Sequence, residues 1–247
     1  MGILFFHYNI DADTLHNGGD LMLDKVLIYG LSKKYGLTQE LILEYLREFS
    51  FDSLHMIKFP KSYNIYFMWD FIFSMPDKML NAFILRKHDH ESTFPVCMNR
   101  LWAQEIIRNY YDQNILASAR ISIGHEFAHI TKRPLNLGHD KSLDTFLMWC
   151  DEIQADFNGA KFFDFGREEL IQSCKHKQQY KLTYIGKDKS SPSHPSWTKR
   201  LHYAANFNFD DDLIRQIAKD TGTCISNKMI DQILNHYGIC KFPSPFK

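Results

Sequence analysis

The sequence predicts an α+β protein with a mixed or antiparallel sheet and additional helices toward both ends of the chain. Three observations predict it. Apolar residues recur at helical spacing through residues 20–49 and again from residue 114 onward. Aromatic and polar residues alternate through residues 51–75, as they do in half-buried strands. Two short apolar runs at residues 82–85 and 94–98 add further candidate strands.

The elements follow in order. Leu21, Leu23, Val26, Leu27 and Leu31 form one apolar stripe and Leu41, Ile42, Tyr45, Leu46 and Phe49 a second, so residues 20–49 read as two helices. Gly36 separates them and Thr38 is a suitable cap for the second. Tyr63, Ile65, Phe67, Phe71 and Phe73 give the strand alternation, which Pro76 ends. A helix is predicted from Asn99 to Tyr111 and a longer one from about Asn114 to Lys132, stopping before Pro134. Arg133 to Asp140 is a loop, and the next helix runs roughly from Leu143 to Asp164. The Lys- and Gln-rich stretch 172–196 reads as a surface insertion or mobile loop. Two helices at about 210–220 and 225–237 complete the chain. The expected organisation is a helical segment at residues 1–60, a core at 61–205 and a helical extension at 206–247, packed as one compact unit.

Lys plus Arg and Asp plus Glu both number 29, so the formal net charge is zero and gives no electrostatic reason to expect nucleic acid as a partner. The longest apolar run, Tyr63 to Met75, is interrupted by Asp70 and falls short of the roughly 20 residues a membrane span needs. Five cysteines without a CxxC pair argue for a reducing compartment rather than a disulfide framework. The N-terminal residues lack the basic and small-residue features of a signal peptide, so a cytoplasmic location is expected.

Chemistry concentrates at His125-Glu126-Phe127-Ala128-His129, an HExxH pentapeptide. Chance alone would produce it about 0.02 times in a chain of this composition. The two histidines lie one turn apart on one helical face and can bind a single metal ion. Glu126 shares their cleft and is placed to take a proton from an attacking water. Downstream, Glu152 and Asp156 also sit at i and i+4. Glu152 completes a His₂Glu set, while Asp156 is placed to accept the outer N–H of a ligand imidazole. Asp151 is expected to face away. Leu135 stands where an HExxHxxGxxH enzyme has its third histidine, which argues against that variant.

A third element, His194-Pro195 followed by Arg200, lies beyond a Ser/Pro-rich loop. His194 is either a donor to an oxyanion or a loop histidine bonded to its own backbone. Arg200 suits the clamping of a carboxylate or a carbonyl, or pairs with a surface acid.

HExxH, ExxAD and HPxxxxR together resemble the gluzincin metallopeptidases, and among them the HtpX-type and CAAX-processing peptidases. The resemblance covers roughly residues 79–205 and implies a zincin-like core with one Zn²⁺ per chain. His125, His129 and Glu152 would be the ligands, and Glu126, His194 and Arg200 the catalytic groups. Asn81 and Ala82 match the Asn-Ala pair with which gluzincins bind substrate backbone. Enzymes of the HtpX type are membrane proteins, so the soluble Lit-type phage-exclusion peptidases are a second likeness. It implies a peptidase acting on an intracellular protein or peptide, with an activating partner. The other classes compatible with the residues are a degenerate zincin that binds a regulatory partner and a non-peptide metallohydrolase; intact Glu126 argues against the former.

Overall fold

A computed structural model describes residues 21–23, 25–58, 64–69, 79–80, 82–84, 93–131, 134–135 and 143–242. The chain divides into two compact units, Met1–Asp112 and Gln113–Lys247. The division falls between two helices and differs from the boundaries at 60 and 205 that the sequence suggests.

The first unit joins a four-stranded sheet to three helices. Its order is β1 (Leu21–Leu23), α1 (Lys25–Tyr35), α2 (Gln39–Met56), β2 (Asn64–Trp69), β3 (Ala82–Ile84), β4 (Thr93–Met98) and α3 (Arg100–Arg108). The sheet is mixed, in the order β1-β2-β4-β3. β1, β2 and β4 run parallel, with Asn64 beside Thr93, and β3 returns antiparallel with Ala82 beside Met98.

Two expectations fail here for identifiable reasons. Leu21–Leu23 belongs to a strand rather than to the first helix, because it pairs with Phe67–Trp69. α2 runs to Met56, into the stretch read as strand, because Ile42, Leu46, Phe49, Ser50 and Ser53 form one continuous buried face. Two of those residues are serines, which an apolar pattern does not register. Ser50 is accommodated by donating to the Leu46 carbonyl at 2.7 Å and accepting from Trp69 Nε1 at 3.1 Å. The strand residues expected at 70–75 and 85 lie outside the described residues.

The second unit is helical: α4 (Gln113–Thr131), α5 (Asp144–Phe162), α6 (Arg167–Ile185), α7 (Trp197–Asn206), α8 (Asp211–Thr221) and α9 (Asn227–Tyr237). One core runs through all of them, including Ile121, Phe157, Cys174, Tyr203, Ile217 and Ile233. A backbone bridge between Phe209 and Cys240 closes the C-terminal pair onto it. Residues 206–242 are therefore built into this unit rather than appended to it.

α6 corrects the reading of 172–196 as a loop. Leu170, Ser173, Cys174 and Lys177 form its buried stripe at i, i+3, i+4 and i+7, and half of that stripe is polar. Only residues 186–196 are irregular.

Asp188, in that connection, caps α7. Its carboxylate accepts the backbone N–H of Trp197 at 3.1 Å and of Thr198 at 2.7 Å, and the Thr198 hydroxyl at 2.8 Å. Burial raises its pKa, but these bonds and Lys181 outweigh burial and hold it below the usual carboxylate range. A depressed folded-state pKa contributes stability above the unfolded value of roughly 3.9, and that stability is lost as the pH falls. Asp188→Ala should cost about 1 kcal/mol at neutral pH. Urea unfolding at several pH values should show the gap from wild type closing below about pH 4. A gap that persists unchanged at low pH would contradict the capping role.

Candidate metal centre

The site is built where α4 crosses α5. The crossing is made by two glycines, Gly124 and Gly159. A Cβ on Gly124 would lie 2.3 Å from the Gly159 carbonyl oxygen, and one on Gly159 would lie 2.6 Å from the His125 backbone nitrogen. Side chains are excluded at both positions, so the helix backbones touch. His125 follows one of these glycines directly, and Asp156 lies three residues before the other. The contact brings one face of each helix together.

Three donors converge there. His125 Nε2 lies 3.0 Å from His129 Nε2 and 3.4 Å from Glu152 Oε2, and His129 Nε2 lies 3.5 Å from Glu152 Oε1. A tetrahedral ion with bonds of 2.0–2.1 Å has donor–donor edges of about 3.3 Å. These three residues form a group with metal-ligand geometry among the described residues.

The outer nitrogens are also held. His125 Nδ1 is 2.9 Å from Asp156 Oδ1, and His129 Nδ1 is 3.1 Å from Asp151 Oδ2. If each Nδ1–H donates to its carboxylate, the two Nε2 atoms present lone pairs to each other and to Glu152. Such an arrangement of acceptors needs a cation between them. A proton is the alternative occupant. Burial lowers the His125 pKa, but the hydrogen bonds and charges of Asp156 and Glu152 outweigh burial and raise it to about 10. A divalent metal must displace that proton on binding.

Arg200 is the fixed cation of the site and is 4 % exposed. Its Nη1 donates to both oxygens of Asp156 at 3.0 Å, and its Nη2 donates to Glu152 Oε2 at 2.6 Å. Of the roles open to it from sequence, the geometry supplies the carboxylate clamp. Both Nη groups are thereby committed to carboxylates, a positioning contact rather than the direct catalytic role that the resemblance implies for Arg200. Burial raises the Glu152 pKa, but His125 and Arg200 reverse this and hold the carboxyl well below its usual range. The guanidinium also stacks 4.6 Å from the centre of the Trp197 ring.

Glu126 is half-buried on α4 beside the two histidines, and burial pushes its carboxyl pKa up against the opposing pull of His125 and His129. His194 reaches the rim, with Nε2 3.4 Å from Glu152 Oε1 and its side chain 58 % exposed. Its Nδ1 lies 2.7 Å from the Ser193 hydroxyl. A hydroxyl donating there leaves the hydrogen on Nε2, which faces the site. His194 is thus bonded within its own loop and directed toward Glu152 at once.

His125, Glu126, His129, Glu152, Asp156, His194 and Arg200 are therefore brought together in the second unit. Ala82 lies on β3 of the first unit, and Asn81 lies outside the described residues. Asp151 was missed. It precedes Glu152 and by helical spacing faces elsewhere, yet it is the carboxylate that meets His129. The two imidazoles are roughly perpendicular, with an interplanar angle of 83°, so their outer nitrogens point to different parts of α5. No spacing rule within one helix conveys that.

Compared with known proteins, the chain matches no family model, no curated protein and no solved structure. No helix among the described residues is long and apolar enough to cross a membrane.

The corrected role of Asp151 is testable. Asp151→Ala should weaken zinc affinity about 10–100-fold, as should Asp156→Asn, because each orients one ligand imidazole. Competition titration with a chelating dye would measure both. An Asp151 variant that binds zinc like wild type would return the residue to an ordinary helix face.

Proposed function

We propose that the chain is a zinc-dependent peptidase with a gluzincin-type site on a zincin-like core. The observation that carries this reading is the meeting of two imidazole Nε2 atoms and the Glu152 carboxylate at tetrahedral-edge distances, with both outer nitrogens already committed to carboxylates. His₂Glu leaves a fourth position open, as a hydrolytic zinc site requires.

A bound zinc ion supplies Lewis acidity toward a carbonyl oxygen and acidifies a water. The protein residues carry the remaining work. Glu126 takes a proton from the attacking water and delivers it to the departing amine. His194, with hydrogen on Nε2, donates to the oxyanion that develops on the open side. Asp151 and Asp156 fix the ligand imidazoles, and Arg200 keeps both Glu152 and Asp156 ionised and in place. The substrate class is a protein or peptide. The proposal assigns no role to Asn81 or Ala82.

Purified protein should carry about one zinc per chain, and His129→Ala should lose it. Glu126→Gln should keep the zinc and lose activity by about 10²–10⁴-fold. Comparing new protein N-termini in cells expressing wild type and Glu126→Gln would reveal substrates. A zinc-loaded wild type that generates no termini beyond those of the Gln variant, and cleaves no peptide library, would refute the peptidase reading.

A further inference from the structure

Residues 186–196 join α6 to α7 and carry His194. The His194 side chain is mostly exposed, so burial does not fix its position. The loop fixes it instead, through a closed hydrogen-bonded turn. Ser191 N–H donates to the His194 carbonyl at 2.8 Å, and His194 N–H donates back to Ser191 Oγ at 3.0 Å. Whatever holds Ser191 therefore holds the backbone of His194.

What holds Ser191 comes from another helix. Trp149, on α5 and 4 % exposed, donates its indole N–H to the Ser191 carbonyl at 3.0 Å. Trp149 and Glu152 stand at i and i+3, so they share one face of α5. A single turn of helix thus provides a metal ligand and the tether for the loop that brings His194 within 3.4 Å of that ligand. The end of the loop is fastened separately, by Asp188 on the first turn of α7 and by Ser196 N–H donating to Ser190 Oγ at 2.9 Å.

We propose that Trp149 is a positioning residue that presents His194 to the metal centre through its indole hydrogen bond to Ser191. The proposal rests on the reading of that centre as a peptidase site. It makes the loop a preformed part of the site rather than a lid that orders on substrate binding.

Trp149→Phe removes the N–H and keeps most of the buried ring. Its backbone amides at Ser191 and His194 should exchange with deuterium about tenfold faster than in wild type, while α5 exchange and zinc content stay unchanged. Its kcat should fall by about 10²–10³, like that of His194→Ala, with KM little changed. The double variant should lose no more than either single one, since both act through the same donor. Unchanged exchange at Ser191 and His194, or losses that multiply in the double variant, would overturn the proposal. If wild type hydrolyses no peptide bond, the peptidase reading fails, and the exchange measurement still decides whether Trp149 holds the loop. Should Trp149→Phe fail to fold, Trp149→Leu, which also lacks a donor, serves the same comparison.

Discussion

The site depends on the contact between Gly124 and Gly159. Ordinary helix pairs keep 8–10 Å between their axes because side chains separate them. Here no side chain fits at either glycine. His125 and His129 on α4 are thereby brought within hydrogen-bonding reach of Asp156, Asp151 and Glu152 on α5. Metal–ligand distances tolerate only about 0.2 Å of error. A methyl group at either glycine would part the helices by more than that, and Glu152 on α5 would lose register with His125 and His129 on α4.

The second constraint is charge. Glu126, Asp151, Glu152 and Asp156 surround two imidazoles, and Arg200 is the fixed cation that touches two of those carboxylates. Lys177, buried on α6, lies 4.9 Å from the centre of the Trp197 ring, and burial lowers its pKa to about 8. Trp197 therefore has a cation from α6 and a cation from α7 against its ring. Burying so many charges costs stability unless they are paired. Arg200 offsets part of that cost for Glu152 and Asp156. A divalent cation held by His125, His129 and Glu152 would offset more of it, and by mass action its binding would add to the stability of this unit.

The sequence made α4, α5 and the three side chains that could hold a metal ion legible, because i and i+4 spacing fixes which side chains share a helical face. The coarse α+β class was also legible, from the alternation read over residues 51–75 and the runs at 82–85 and 94–98, although only residues 64–69 of the first stretch form a described strand. What could not be read was tertiary. α6 hides behind a buried stripe that includes Ser173 and Lys177, and α2 behind Ser50 and Ser53. Asp151 and Trp149 acquire their roles only from the angle at which helices and loops meet. Glycine inside a helix costs about 1 kcal/mol relative to alanine, so sequence alone shows no reason for Gly124 or Gly159. Their purpose appears only when the two helices are seen together.

X-ray absorption at the zinc edge tests the central claim most directly, because it reads the coordination shell without requiring a substrate. Two imidazole nitrogens and one or two oxygens at roughly 2.0–2.1 Å, with no sulfur, are expected in the wild type, and His125→Ala should bind no zinc, as His129→Ala should. A shell containing sulfur near about 2.3 Å, or a six-oxygen shell without imidazole, would contradict it.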